Sequence, residues 1–200
     1  MVNIFFDSET TGINPYVSEV IEMYFHVNDG TNYHYKARPL EWSYEAEAIH
    51  KISYAQAMTY PDKMEALTNL IEWLKQFKEF RFINYANKNT QLGCINFDVA
   101  ILENELNLVG YPFYFLQNKL GMKKAESVYY LAKECAKLGL FTPIKNTSGR
   151  DSFSQENVFK ALFKSKYNAH NCVDDVLSLV IIREHLLRLL DENKTKLLWS

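Results

Sequence analysis

The run Ile4-Phe5-Phe6-Asp7-Ser8-Glu9-Thr10-Thr11-Gly12 constrains this chain more than any other stretch. Residues 2–6 are mostly branched or aromatic, and a glycine-containing turn follows, which predicts a buried strand. Side chains alternate along a strand, so Asp7 and Glu9 point to one side. Two anions at the end of a buried strand repel each other and are costly to desolvate. A divalent cation between them resolves the conflict, and carboxylate oxygens are the hard ligands that Mg²⁺ or Mn²⁺ prefers. An isolated Asp-x-Glu is more often a solvated turn, so this reading depends on what the rest of the chain supplies.

With 200 residues the chain is long enough for one sizeable core, and residues 1–190 read as a single domain followed by a tail over 191–200. Gly and Pro are sparse, with 7 and 5 copies against 29 aromatic residues, which excludes a disordered or repeat protein. No apolar run reaches the length of a membrane span, and residues 1–30 lack the pattern of a signal peptide, so no membrane partner is expected. Cys94, Cys135 and Cys172 are odd in number and far apart, which suits a reducing, cytoplasmic compartment better than a cysteine-based zinc site. The net charge of −2 conceals an uneven distribution. Residues 1–118 carry a net −7, whereas residues 119–166 hold ten Lys/Arg against four Asp/Glu. An acidic metal-binding half beside a basic segment suits phosphates, although a solvated helix face explains the basic segment equally well.

Residues 19–27 and 31–37 alternate and flank Asn28-Asp29-Gly30, a hairpin signal, so the chain opens as a three-strand antiparallel meander. A short helical turn is expected near residues 45–53. Pro61 precedes Met64, Leu67, Ile71, Leu74 and Phe77 at helical spacing, predicting a helix over 61–78. A fourth strand over 80–86, a polar loop over 87–95 and a helix from residue 96 to Gly110 follow. A short fifth strand is expected over 112–116, helices over 123–138 and 157–163, and a loop over 141–151. The final helix begins after His170-Asn171-Cys172-Val173-Asp174-Asp175 and is expected to run to about residue 190. Asp98 and Asp174 sit where a carboxylate offsets a helix macrodipole, which is sufficient reason for either one alone. The element order predicts an α/β fold with a mixed five-stranded sheet and helices on both faces. The chain has no Gly-x-Gly-x-x-Gly or Walker-type loop.

Taken together, Phe6-Asp7-Ser8-Glu9-Thr10-Thr11-Gly12, then Phe97-Asp98, then His170 and Asp175 resemble the motifs of the DEDDh, or DnaQ-like, 3′-to-5′ exonucleases. Ala48-Ile49-His50-Lys51-Ile52-Ser53 is similar to that family's Ile-His-Gly-Ile-Thr segment, with Lys51 in the place of Gly. The likeness covers residues 2–187. It implies an RNase H-like fold in which Asp7, Glu9, Asp98 and Asp175 meet and hold two divalent cations, Mg²⁺ or Mn²⁺. It implies His170 as the general base, and Thr10, Ile13, Ile49, His50 and Phe97 as residues around the terminal nucleotide. The chemistry agrees, since two cations about 3.5–4 Å apart serve both the attacking and the leaving oxygen of a phosphodiester, and imidazole titrates near neutrality.

The expected activity is hydrolysis from the 3′ end of DNA or RNA, single-stranded by default, releasing nucleoside 5′-monophosphates. The alternative is a nuclease-like binding or proofreading subunit of a polymerase or another replication or repair complex, weak in cleavage or without it. Two departures stand out. The family's His-Asn-Ala segment lies directly before Phe-Asp, whereas Ile83-Asn84-Tyr85-Ala86 is separated from Phe97-Asp98 by a longer loop. Cys172 also stands where a small Ala is usual. Residues 111–150 match no part of the family pattern.

Overall fold

The computed structural model describes residues 1–86 and 96–198, with side chains through residue 195. The loop expected over 87–95, and Cys94 with it, lies outside the described residues.

Strand β1 (Val2–Thr10) is the centre of the sheet. It pairs antiparallel with β2 (Val20–Val27), which pairs antiparallel with β3 (Asn32–Lys36), so the opening meander forms as expected. On its other edge β1 pairs parallel with β4 (Phe80–Asn84), and β4 pairs parallel with β5 (Met122–Ser127). The order is β3-β2-β1-β4-β5.

The period of two along β1 divides the molecule into two cores. Ile4 and Phe6 face one side, joining Phe25, Phe80 and Phe82 in a fully buried cluster. That side is covered by α3 (Lys63–Leu74) through Leu67, Leu70, Ile71 and Leu74, and by α4 (Phe97–Leu108) through Ile101, Leu102 and Leu106. Phe6 stacks on Phe25 at 5.6 Å and meets Phe82 at 5.2 Å, so the strand enters the site anchored by packed rings. Phe5 faces the opposite side with Ile83, under α6 (Val128–Lys137), α7 (Gln155–Phe163) and α8 (Cys172–Leu198). There Val176, Leu179, Ile182 and Leu186 of α8 supply the apolar stripe. A smaller cluster of Ile21, Ile52 and Ala57 seats the helical turns α1 (Tyr44–His50) and α2 (Tyr54–Ala57).

Three expectations are corrected. Residues 112–116 are not a strand: Pro112 opens helix α5 (Phe113–Lys119), which buries Phe113 and Leu116 one turn apart. An apolar run this short does not separate helix from strand by period alone. The fifth strand is instead β5, inside the span expected to be helical. It buries Met122 and exposes Lys123 and Lys124, the lysine-rich pattern of an edge strand. The helix starts only at Val128. Third, α8 continues through Leu198 rather than ending near residue 190, since no Gly or Pro interrupts it. The loop expected over 141–151 carries a two-residue hairpin, β6 (Ile144–Lys145) with β7 (Asp151–Ser152). Among the described residues no helix is long and apolar enough to cross a membrane. Cys135 and Cys172 are both buried free thiols.

Candidate metal centre

The two faces of β1 deliver the site. Asp7 and Glu9 continue the face of Phe5, over which α8 lies, and Asp175 projects from the first turn of that helix. Ligand oxygens of Asp7, Glu9 and Asp175 all lie within 4.8 Å of one another. Ser8 continues the opposite face, over which α4 lies. Its hydroxyl donates to Asp98 Oδ1 at 2.8 Å, which brings the fourth carboxylate to the same strand end. The alternation along one strand thus explains why a four-carboxylate site needs one helix from each face.

The two helix-borne carboxylates, Asp98 and Asp175, are held by hydrogen bonds. Asn84, at the end of β4, donates to Asp98 Oδ2 at 2.9 Å. Asn84 and Asn96 also exchange a reciprocal amide pair at 2.6 and 2.7 Å. Asn96 in turn caps α4, accepting from the Val99 amide at 3.2 Å. The two asparagines therefore pin both ends of the longer loop between β4 and α4, and Asp98 keeps its place despite that departure. Asp175 accepts from Tyr167 Oη at 2.8 Å and from the backbone amides of His170 and Asn171 at 2.9 and 3.2 Å. Asn171 Oδ1 accepts from the amides of Val173 and Asp174, capping α8. Gln155 of α7 donates to the Asp175 carbonyl at 2.6 Å and to Ser178 Oγ at 2.6 Å.

The electrostatics mark an uncompensated anionic site. Burial, then the charges of Asp98, Asp175 and Glu9, hold Asp7 well above the usual carboxylate range. Burial and the charges of Asp175, Asp98 and Glu22 push Glu9 up to about 8. Asp98 is raised by burial despite the hydrogen bonds from Ser8 and Asn84, and Asp175 is raised by burial despite those from Tyr167 and the two amides. Four such carboxyls with only oxygen donors between them fit hard divalent cations. His170 stands at the exposed rim in a left-handed conformation, φ 65°, and lies near enough for its charge to act on Asp175.

A cavity of about 390 Å³ opens beside Glu9 and gathers Thr10, Ile13, Ile49 and His50, four of the five residues expected around a terminal nucleotide. Phe97 is not among its walls; it begins α4 and packs against the core. Ile13 and Ile49 are 81% and 53% exposed. His50 is buried, and its Nδ1 accepts the Ile52 amide at 3.0 Å, which places the ring proton on Nε2. Nε2 is buried and has no partner among the described residues. Burial lowers the pKa of this imidazole, keeping it neutral. Lys51, in the place of the family's Gly, adopts φ 64°, the left-handed conformation glycine reaches without cost.

A second metal-like cluster, Glu22, His34 and Cys172, is already neutralised. Glu22 accepts from His34 at 3.0 Å and from Tyr60, and pairs with Lys36 at 3.2 Å. These contacts outweigh its burial and hold it at about 2. Burial and the charge of Glu22 push the Cys172 thiol far up, so it stays protonated.

Sequence reasoning missed Tyr167, Asn84, Asn96 and Gln155 as supports of the site. Asn84 lies in the segment set against His-Asn-Ala but carries no role there, and Tyr167, Asn96 and Gln155 lie at no motif spacing; all four support the site only through the tertiary fold.

No family model and no curated protein matches this chain. Solved structures do. An apo Exonuclease I aligns with a TM-score of 0.78 at 17% identity over 97% of this chain and 44% of its own. A zinc-bound form of the E. coli Exonuclease I–single-stranded DNA complex gives 0.76 at 18% over 97% and 43%. An E. coli Exonuclease I complex with a thirteen-nucleotide oligothymidylate gives 0.77 at 18% over 96% and 43%. The fold is therefore that of Exonuclease I, as the RNase H-like expectation required, and the chain spans under half the length of those proteins.

Proposed function

We propose that this chain is a metal-dependent 3′-to-5′ exonuclease that hydrolyses phosphodiester bonds at single-stranded ends and releases nucleoside 5′-monophosphates. The observation that carries this reading is the convergence of Asp7, Glu9 and Asp175 within 4.8 Å, with Asp98 held alongside by Ser8. The orphaned His50 Nε2 in the adjacent cavity supports a ligand there, and the Exonuclease I complexes with single-stranded DNA favour that substrate.

Asp7, Glu9 and Asp175 would hold one divalent cation, and Asp7 with Asp98 a second; Mg²⁺ or Mn²⁺ suits these oxygens. When bound, such ions supply charge for the attacking and leaving oxygens of the phosphodiester. The protein's own groups do the rest. Tyr167 and the amides of His170 and Asn171 fix Asp175 in one orientation. His170, exposed at the rim where a water can reach it, would take the proton of the nucleophile. Ile13 and Ile49 sandwich the terminal base or sugar, and His50 donates through Nε2 to a ligand oxygen.

The test is digestion of 5′-labelled single-stranded DNA, single-stranded RNA and duplex DNA with Mg²⁺, Mn²⁺ or EDTA. The proposal expects a ladder shortening from the 3′ end that EDTA abolishes, strongest on single-stranded DNA. No cleavage of any strand with either metal would overturn it in favour of a binding subunit.

A further inference from the structure

The acidic half of the chain leaves a problem for a bound strand. Residues 1–118, which supply three of the four carboxylates, carry a net −7, so a path that turns toward positive charge favours the next phosphates along the strand. The basic segment 119–166 folds into β5, α6, the β6–β7 hairpin and α7 on the Asp175 side of the site.

There the rings of Tyr85, Tyr129, Tyr130 and Phe153 form a run. Tyr129 meets Tyr130 at 5.3 Å, Phe153 at 6.2 Å and Tyr85 at 6.3 Å, all near perpendicular. Tyr129 and Phe153 each keep part of their surface exposed. Lys133 Nζ lies 5.5 Å from the Tyr129 centroid and 6.0 Å from that of Phe153. A groove of about 430 Å³ runs between Tyr85, Tyr129 and Phe153 and the hairpin residues Asn146 and Asp151. The hairpin carries Lys145 and Arg150, both exposed, with Lys145 paired to Asp151 at 2.5 Å.

Two ties join this groove to the metal centre. Tyr85 directly follows Asn84, the residue that holds Asp98. Gln155, on the groove wall, donates to the Asp175 carbonyl. We propose that this groove is the track for the single strand on the 5′ side of the scissile nucleotide. Bases stack on the Tyr129 and Phe153 rings that line the groove, and phosphates pass Lys133, Lys145 and Arg150. This combination of aromatic platforms with cations suits a nucleic-acid single strand. It rests on the proposed function and adds where the substrate runs.

The triple variant Lys133→Ala, Lys145→Ala, Arg150→Ala tests it on two readouts. The first is kcat/KM on an oligothymidylate of about twelve nucleotides, a length within single-strand site sizes, divided by kcat/KM on a dinucleotide. The track predicts that this ratio falls at least about tenfold; a ratio equal to wild type overturns it. The second is fluorescence anisotropy of the same labelled oligomer in an Asp7→Asn background, followed against salt. Removing three phosphate contacts from a single strand makes the slope of log K against log salt shallower by about 2. An unchanged slope and affinity overturn the track whether or not the chain cleaves anything, while binding with no cleavage by wild type overturns only the nuclease reading. The charge-retaining variant Lys133→Arg, Lys145→Arg, Arg150→Lys restores the affinity if charge is the cause; failure to restore it assigns the loss to local structure and overturns the proposal.

Discussion

Replacing Asp7 by Asn removes one charge from the centre of the carboxylate cluster with almost no change in shape. Two ionised carboxylates at the 4.8 Å span of this cluster repel by about 3 kcal/mol at an effective dielectric constant near 20. The metal-free protein avoids part of that cost by protonation. With Glu9 held up to about 8, keeping its proton off at pH 7 costs about 1.4 kcal/mol, one unit of pKa. Asp7→Asn therefore relieves about 1–3 kcal/mol in EDTA. At about 2–4 °C per kcal/mol for a chain of this size, Tm rises by about 2–12 °C. The same substitution deletes the carboxylate proposed to serve both cations, so the increase of Tm expected with millimolar Mn²⁺ in wild type disappears. Differential scanning calorimetry of both proteins, with EDTA and with Mn²⁺, measures the four values. An Asp7→Asn protein that melts below wild type in EDTA and still gains stability from Mn²⁺ refutes the reasoning, because Asp7 would then be a structural cap rather than a ligand under strain.

Glu9 supplies a pH dependence. In the unfolded chain it loses its proton near 4.5, and in the metal-free fold near 8, so the unfolded state binds fewer protons between these values and metal-free stability falls as pH rises from about 4.5 to 8. Mn²⁺ must displace that proton, so its affinity, read by calorimetric titration, rises across the same window. Tyr167→Phe removes the hydroxyl that orients Asp175 and is expected to weaken Mn²⁺ binding by about 10–100-fold in the same titration. His170→Asn keeps a side chain that tolerates the left-handed backbone and is expected to lower kcat by about 10²–10⁴-fold while the Mn²⁺-induced shift in Tm remains. Gly121→Ala places a Cβ 2.4 Å from the Lys78 carbonyl oxygen at φ 70°, and urea denaturation is expected to show a loss of at least about 1–3 kcal/mol.

What the sequence disclosed followed from periodicity and local signals. The alternation across Ile4 to Glu9 predicted both the buried strand and the common face of Asp7 and Glu9, because those depend only on the chain's own geometry. Asp98 and Asp175 were legible through the resemblance, since each alone is an ordinary first-turn carboxylate, and in the structure Asp175 does serve the start of α8 while belonging to the site. Illegible features depended on partners remote in sequence. The lysines of β5 favour a helix by propensity, and only pairing along β4 makes them an edge strand. Asn84 and Asn96 sit on either side of the loop that seemed to break the motif, and their mutual hydrogen bonds compensate for its length. Tyr167 carries no spacing signal three residues before His170; its role appears only when Asp175 turns toward it.

The proposed function stands on Asp7, Glu9, Asp98 and Asp175 forming a centre for divalent cations. The number of Mn²⁺ ions bound per chain, read by electron paramagnetic resonance with thymidine 5′-monophosphate present, is expected to be two in wild type and one in Asp98→Asn. An Asp7→Asn protein that binds as many ions as wild type would contradict it.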